Sequence, residues 1–230
     1  MLGGAKSRNT AKALRRAYEL MRGYYGHLHW WPGETPFEVC VGAILTQNTS
    51  WQNVERAIAN LKNVGRLDPR KLLALPEAEL AGLLRPAGYF NVKTRRLRSF
   101  LEVLLNEFGG SLERLFAGDT QRVRARLLAI SGIGPETADS MLLYAGGHQS
   151  FVIDAYTKRI CQRHGWCGPD ATYEQLQALC GSSLSQRPVS ERLDYWQDYH
   201  AQLVMVGKDY CAKRSPKCQA CPLAPLLPQS

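Results

Sequence analysis

The 230-residue sequence lacks the features of membrane and secreted proteins. It contains no apolar run long enough to span a bilayer, and no signal-peptide core follows Met1. It also contains no internal repeat and no low-complexity tract. The first 18 residues include no acid but several basic residues, for which we favour a basic first helix over an organelle transit peptide. We therefore expect a cytoplasmic, nucleoid-associated protein that does not bind membranes.

Charge and cysteine usage narrow the class of partner and cofactor. Lys and Arg number 29 against 20 Asp and Glu, and this net charge of +9 suits a polyanionic partner. Three of the seven cysteines fall in the last twenty residues. This uneven placement indicates a metal site in a reducing compartment rather than the disulfide framework of a secreted protein.

Apolar residues recur at three- and four-residue steps along most of the chain. Examples are Val54-Ile58-Leu61 and Val123-Leu127-Leu128-Ile130, and Gly and Pro residues separate such stretches frequently. Strand-like alternation is not seen, so the sequence predicts an all-α protein. At this length the chain can bury a sizeable core, in one domain or in two small lobes.

The most informative segment runs from residue 130 to residue 138 and reads Ile-Ser-Gly-Ile-Gly-Pro-Glu-Thr-Ala. Gly132 and Gly134 can adopt positive φ, and they leave room for an anion to approach the N–H groups at the next helix start. Pro135 suits the first helical position. A plain helix–helix turn is the alternative. However, Asp154 follows at the end of an apolar run, which favours a phosphate-binding hairpin with a catalytic acid.

These residues resemble the helix-hairpin-helix DNA glycosylases of the endonuclease III superfamily. The hairpin fits the family pattern Leu-x-Gly-x-Gly-x-x-Thr-Ala except for Ile130 at its first position. Residues 43–49 (Ala-Ile-Leu-Thr-Gln-Asn-Thr) are similar to the family segment whose glutamine enters the duplex. Residues 88–93 (Gly-Tyr-Phe-Asn-Val-Lys) resemble its wedge region. The resemblance extends from about Trp30 to Cys221. Within the superfamily, the chain resembles the 3-methyladenine glycosylases in particular.

The resemblance implies a two-lobed fold. Residues 36–150 would form a six-helix barrel that ends in the hairpin, and residues 1–35 and 151–230 would form a second lobe with a cysteine cluster. The implied partner is double-stranded DNA with a damaged base, bound between the lobes by a monomer. Gln47 would fill the vacated stack, Tyr89 or Phe90 would wedge the duplex, and Lys93 would contact phosphates, as would Gly132, Gly134 and Thr137. A solvated helix face is the alternative for Lys93.

The resemblance also assigns the chemistry. Asp154 would stabilise the oxocarbenium-like state and orient or deprotonate water. A helix N-cap is the other interpretation of Asp154, and both roles are compatible. Family members that also cleave the strand have a lysine where this chain has Glu136, and glutamate cannot form their imine. We therefore expect a monofunctional enzyme in which Glu136 faces the extruded base, although a solvated first-turn acid is the simpler explanation.

Trp30 and Trp31 bear on the choice of lesion. Indole faces attract cations, and alkylated purines such as 3-methyladenine carry positive charge. With Glu136, this pair is similar to the 3-methyladenine glycosylase branch, although the tryptophans could simply pack between the lobes. Alkylated purine is the favoured lesion. An endonuclease III-like enzyme for oxidised pyrimidines with weak lyase activity, and a catalytically silent protein that binds damaged DNA, stay open.

Cys211, Cys218 and Cys221 form the clearest metal motif. Their spacing resembles the family's [4Fe–4S] site, in which a fourth cysteine comes six places after the third. Leu227 occupies that place, so the implied iron–sulfur cluster has an incomplete cysteine set. An unusual fourth ligand, a three-iron form and no metal are all open, and zinc is a weaker alternative. Cys161, Cys167 and Cys180 match no family ligand.

Overall fold

A computed structural model of the chain describes residues 4–30 and 33–228, with side chains from residue 9 onward in the first helix. The described residues form twelve α-helices, three short 3₁₀ helices and no β-strand, which confirms the all-α prediction. The helices are α1 Gly4–Tyr25, α2 Pro36–Leu45, α3 Trp51–Asn63, α4 Pro69–Ala74, α5 Glu77–Leu84, α6 Phe90–Phe108, α7 Leu112–Phe116, α8 Thr120–Leu128, α9 Pro135–Tyr144, α10 Ala155–Arg163, α11 Tyr173–Leu184 and α12 Val189–Asp209. Within these residues, no helix is long and apolar enough to cross a bilayer.

The chain divides into two compact units. The central unit ends at His148, and the terminal unit combines the residues up to Trp30 with those from Gln149 onward. The boundaries predicted from the sequence, at residues 35/36 and 150/151, lie within five residues of these divisions.

The central unit is built around α2, which is apolar except for Glu38, a buried acid that pairs with Lys62 at 2.9 Å. Seven of its ten residues are buried, as a helix without a polar face requires, and α3, α6 and α9 pack on it. The long helix α6 buries Leu97, Phe100, Leu101 and Leu104, which follow the three- and four-residue steps of one helical face. Among its described residues, the unit contains six longer helices, α2, α3, α5, α6, α8 and α9, together with the short helices α4 and α7 of six and five residues.

The terminal unit packs α1 against α11 and α12, and α10 against α12. Its most buried carboxylate is Asp198 on α12, which is 1 % exposed. Asp198 accepts hydrogen bonds from the Tyr18 hydroxyl at 2.8 Å, the Arg22 guanidinium at 3.0 Å and the Leu28 N–H at 2.9 Å. These bonds satisfy a charge that would otherwise be costly to bury, and they fix the turn that leads to Trp30.

Candidate functional site

The hairpin between α8 and α9 uses its two glycines differently. Gly132 has φ of +88°, in the left-handed region, whereas Gly134 has φ of −95° and is extended. Ile133 between them is buried and anchors the turn in the core. Pro135 occupies the start of α9, as the sequence predicted. Both glycines can adopt positive φ, and of the two Gly132 does so.

The surroundings of the two glycines differ as well. A Cβ added at Gly132 would overlap the aliphatic side chain of Arg96. A Cβ added at Gly134 would meet no described heavy atom within 4 Å beyond its chain neighbours. Gly132 is thus required by the protein's own packing, whereas Gly134 leaves its backbone open to an approaching group.

A buried ion pair joins the two helices of the hairpin. Arg124 of α8 donates two hydrogen bonds to the carboxylate of Asp139 on α9, at 2.9 and 3.0 Å. Asp139 is fully buried, and the fork geometry holds the helices at a fixed angle. The sequence offers no indication of this pair, because its two members lie 15 residues apart.

Gln47 is bonded to the hairpin. Its amide nitrogen donates to the Gly132 carbonyl at 3.1 Å and to the Thr137 hydroxyl at 3.0 Å. Its amide oxygen accepts a hydrogen bond from the Arg96 guanidinium. Thr137 is buried, so it supports Gln47 rather than facing solvent. The structure therefore brings together three residues predicted to contact DNA and adds Arg96 as a fourth member.

Of the two candidate wedge residues, Tyr89 is the exposed one. Its side chain is 73 % exposed, and its backbone has φ of +46° where α6 begins. Phe90 is half-buried against the core, and the Arg85 guanidinium lies 5.5 Å from the centre of its ring. A large aromatic residue held outward at a strained backbone position is unusual unless the side chain serves a purpose on the surface.

The prediction that Lys93 contacts phosphate is wrong. Its side chain is 1 % exposed, and its ammonium group donates to the Ala87 carbonyl at 2.7 Å. Burial, together with the nearby charge of Arg96, lowers the pKa of Lys93 to about 8. Lys93 therefore serves the internal structure of the unit. The neighbouring Arg95 is exposed and remains available to a polyanion.

Asp154 occupies the N-cap of α10. Its Oδ1 accepts a hydrogen bond from the Thr157 N–H at 2.7 Å, while its Oδ2 lies 3.9 Å from Nε2 of His200. Three buried apolar residues, at 151–153, precede it and hold the backbone in place. The carboxylate is 13 % exposed, so it is oriented by the protein yet reachable. The cap interpretation is confirmed.

His200 was not foreseen from the sequence. It lies on α12 and is buried, and burial lowers its pKa although the charge of Asp154 opposes that shift. A lowered pKa favours the neutral imidazole, which adds no positive charge beside the Asp154 carboxylate. No sequence signal marks this residue, because the two positions are 46 residues apart and meet only through packing of α10 on α12.

The remaining pocket candidates are only partly described. Glu136 is exposed in the first turn of α9, where the helix dipole stabilises an acid. Trp30 is half-buried, and the Lys208 ammonium lies 5.2 Å from the centre of its ring, within the range of a cation–π contact. Trp31, also predicted to line the base pocket, lies outside the described residues.

Cys211, Cys218 and Cys221 line one cavity in the terminal unit. The Arg163 guanidinium donates to Sγ of Cys211 at 3.1 Å, and the Leu223 N–H donates to Sγ of Cys221 at 3.4 Å. Hydrogen bonds to sulfur favour the thiolate that binds iron. Among the described residues, no three Cys, His, Asp or Glu side chains converge closely enough to hold a single metal ion.

The chain is similar to known DNA repair proteins. Residues 41–186 match the family model described as HhH-GPD superfamily base excision DNA repair protein. A protein of Methanocaldococcus jannaschii, whose name assigns it provisionally to the DNA repair glycosylases, is 43 % identical over 216 residues. That alignment covers 94 % of this chain and 96 % of the relative.

Two solved structures are similar in fold. The endonuclease III of a non-covalent DNA complex matches with a TM-score of 0.78 and 22 % identity, over 99 % of this chain and 96 % of that one. A Helicobacter pylori 3-methyladenine DNA glycosylase, solved with 1,N6-ethenoadenine, matches with a TM-score of 0.73 and 26 % identity, over 86 % and 97 % of the two chains.

Proposed function

Because the chain belongs to the HhH-GPD superfamily of base-excision DNA repair proteins, we propose that it is a monofunctional DNA glycosylase. It extrudes a damaged base from duplex DNA and hydrolyses the N-glycosidic bond with water as the nucleophile. The favoured lesion is an alkylated purine such as 3-methyladenine.

The arrangement around Asp154 is the observation that carries this proposal. Loss of the base leaves positive charge on the deoxyribose, and a fixed carboxylate stabilises it most when no cation already neutralises that carboxylate. One oxygen of Asp154 is held by the Thr157 N–H, and the neutral His200 adds no positive charge. The other oxygen can orient a water molecule or accept its proton.

Glu136 supports the monofunctional assignment. A lysine at this first-turn position would attack the sugar to form an imine, and a carboxylate cannot do so. Strand cleavage by that route is therefore absent, and the abasic product stays intact until alkali breaks it. We propose that Glu136 and Trp30 each influence which base is accepted.

The DNA is held by the hairpin and by the elements bonded to it. An added Cβ at Gly134 would meet open space, and we propose that a phosphate approaches the backbone there, where the start of α9 adds the positive end of a helix dipole. Gln47 and Tyr89 lie in the same unit as the hairpin. We propose that they occupy the space left by the extruded nucleotide and offset an unstacking cost of about a few kcal/mol.

The choice of an alkylated purine rests on charge. A cationic base leaves more easily than a neutral one, so a site with one carboxylate and no lysine nucleophile suffices. The indole of Trp30 favours a cation, and Lys208 already lies on that ring. The similarity to the H. pylori 3-methyladenine glycosylase supports the same class of lesion.

We also propose a [4Fe–4S] cluster at the cysteine cavity. In such a cluster each thiolate binds a different iron atom, so the thiolates stand further apart than around one ion. Three thiols on one cavity, with hydrogen bonds donated to two of them, suit that arrangement. The cluster would stabilise the terminal loop, since base hydrolysis requires no electron transfer.

The direct test measures base release from alkylated duplex DNA, with strand breaks scored before and after alkali. We expect free 3-methyladenine, breaks only after alkali, and no adduct trapped by borohydride. Release of oxidised pyrimidines but not of 3-methyladenine would show that oxidised pyrimidine is the lesion class. Robust trapping of an enzyme–DNA adduct by borohydride would contradict the monofunctional assignment. Failure on every lesion, with binding intact, would leave a silent DNA-binding protein.

The Asp154→Asn variant tests the mechanism without removing the helix cap, because asparagine is an equally good N-cap. We expect base release to fall by about a thousandfold or more while duplex affinity is kept. Asp68→Asn is the matched control, since Asp68 caps α4 through the Arg70 and Lys71 N–H groups. Unchanged release by Asp154→Asn would refute the assigned role.

A further inference from the structure

The cavity of the three cysteines lacks the fourth thiol that a complete cluster site would have. Leu227, which stands in the place of that cysteine, does line the cavity, so the loop follows the expected path without its ligand. Cys161, Cys167 and Cys180 are not among the residues that line it. Cys161 and Cys180 are both free thiols, and their side chains lie within hydrogen-bond reach of each other. A fourth ligand must therefore come from another residue type.

Apart from the three cysteines, the described residues that line the cavity offer side-chain nitrogen or oxygen at Arg163, His164 and Tyr210. Arg163 has no lone pair to donate and already bonds to Cys211. The Tyr210 hydroxyl lies 2.6 Å from the hydroxyl of Tyr24, which engages it. His164 is the remaining candidate, and imidazole is an established ligand of iron–sulfur centres.

The imidazole of His164 is held in the form that a metal ligand requires. Its Nδ1 lies 3.1 Å from the Leu226 carbonyl, and because a carbonyl only accepts, Nδ1 carries the proton. The lone pair is then on Nε2. The ring also stacks on Trp166, with 4.6 Å between ring centres and 25° between planes. Such a backbone hydrogen bond fixes the tautomer and orientation of metal-binding histidines.

We infer that His164, through Nε2, is the fourth ligand and completes a three-cysteine, one-histidine set. This inference rests on the proposed cluster. The hydrogen bond that His164 donates to the Leu226 carbonyl has a specific consequence. The residue next to Leu227 orients the histidine, so the loop that lacks the fourth cysteine positions its substitute. Because an imidazole is neutral where a thiolate is charged, the cluster has a higher reduction potential than its four-cysteine equivalent.

The experiment compares wild-type protein with His164→Cys, His164→Ala and a control, all purified without oxygen. His29→Asn is the control, because His29 is an exposed histidine of the same unit and asparagine tolerates its left-handed backbone. Iron and sulfide are counted, the reduction potential is measured, and the reduced cluster is probed for hyperfine coupling to nitrogen. Protein labelled with ¹⁵N-histidine identifies that nitrogen as imidazole.

We expect about four iron atoms per chain and an imidazole coupling in the wild type and in His29→Asn. His164→Cys should keep the iron, lose the coupling and have a lower potential. His164→Ala should lose iron, and a second change, Leu227→Cys, should restore it. Both results together support the assignment and separate it from a general loss of folding.

Three results would overturn the inference. The first is an unchanged iron content and spectrum in His164→Ala. The second is a wild-type cluster of three irons that Leu227→Cys alone converts to four. The third is zinc or no metal in the wild type. Base release is measured on the same samples, so a failure of the cluster is distinguished from a failure of the proposed glycosylase activity.

Discussion

Replacing each hairpin glycine by alanine should separate two roles within one turn. Gly132→Ala places a side chain on a left-handed backbone, at a cost of about 1–2 kcal/mol. Its Cβ also displaces Arg96, whose charged hydrogen bond to Gln47 is worth about 1.5–3 kcal/mol. Reduced freedom of the unfolded chain returns about 0.4–1 kcal/mol. The net loss in unfolding free energy is therefore about 1.5–4.5 kcal/mol.

Gly134→Ala should leave the unfolding free energy almost unchanged and should weaken binding to the duplex. Alanine adopts φ of −95° without strain and meets no neighbour, so a weaker N-cap and a less flexible unfolded chain nearly cancel. If a phosphate approaches the backbone here, the added methyl blocks a charge-assisted hydrogen bond of about 1.5–3 kcal/mol. Duplex affinity should then fall by about ten- to a hundredfold.

The assay pairs urea denaturation with fluorescence anisotropy of a labelled duplex at several salt concentrations. Gly132→Ala should shift the urea midpoint, while Gly134→Ala should leave it in place and weaken binding. Because no basic residue is removed, the slope of log affinity against log salt should not change in Gly134→Ala. Wild-type affinity in that variant would refute close backbone approach of the phosphate.

Three further perturbations test the interior. Asp198→Ala should lower the unfolding free energy by about 3–5 kcal/mol, because the donors of Tyr18, Arg22, Leu28 and Gln202 lose their acceptor. Asp194→Ala removes a carboxylate that is 68 % exposed on the same helix, so it should change that free energy by less than about 0.5 kcal/mol in urea titrations. Lys93 has a pKa of about 8 in the folded chain against an ordinary value of 10.5 in the unfolded chain. Between pH 8 and pH 10.5 the unfolded chain therefore binds more protons, so the unfolding free energy should rise with pH, by up to about 3 kcal/mol. Lys93→Met should remove that rise, as measured by urea denaturation at several pH values, and should not weaken binding to the duplex. Weaker binding would instead support the prediction that Lys93 contacts a phosphate. Asp139→Asn should lower the unfolding free energy by about 2 kcal/mol or more and should speed amide hydrogen exchange in α8 and α9. Unchanged exchange would show that the ion pair of Arg124 and Asp139 does not hold the two helices of the hairpin together.

The local chemistry of the hairpin was predictable because it depends on neighbouring residues. Glycines, a proline at the helix start and an acid at a helix N-cap each act within one or two turns of the chain. The sequence therefore located the turn, Asp154 and the cysteine loop. It left the sign of φ at Gly134 open, since glycine adopts either sign and only packing decides between them.

The basic segment after Tyr89 shows where local reasoning failed. A helix with Lys and Arg at successive positions gives no indication of which side faces the core. Lys93 is turned inward, Arg96 is bonded to Gln47, and Arg95 alone of these three is exposed. The helical period makes burial depend on where neighbouring helices pack, which is not encoded at any single position.

The sequence by itself determined the helical class, the order of the elements and the residue types available for catalysis and metal binding, because propensity, capping and spacing are local. Tertiary structure alone decided which groups meet: His200 beside Asp154, Arg124 on Asp139, and His164 at the cavity of the three cysteines. These partners are separated by up to 57 residues between His164 and Cys221. Their proximity comes from the burial of apolar helix faces, which brings distant polar groups together without any shared motif.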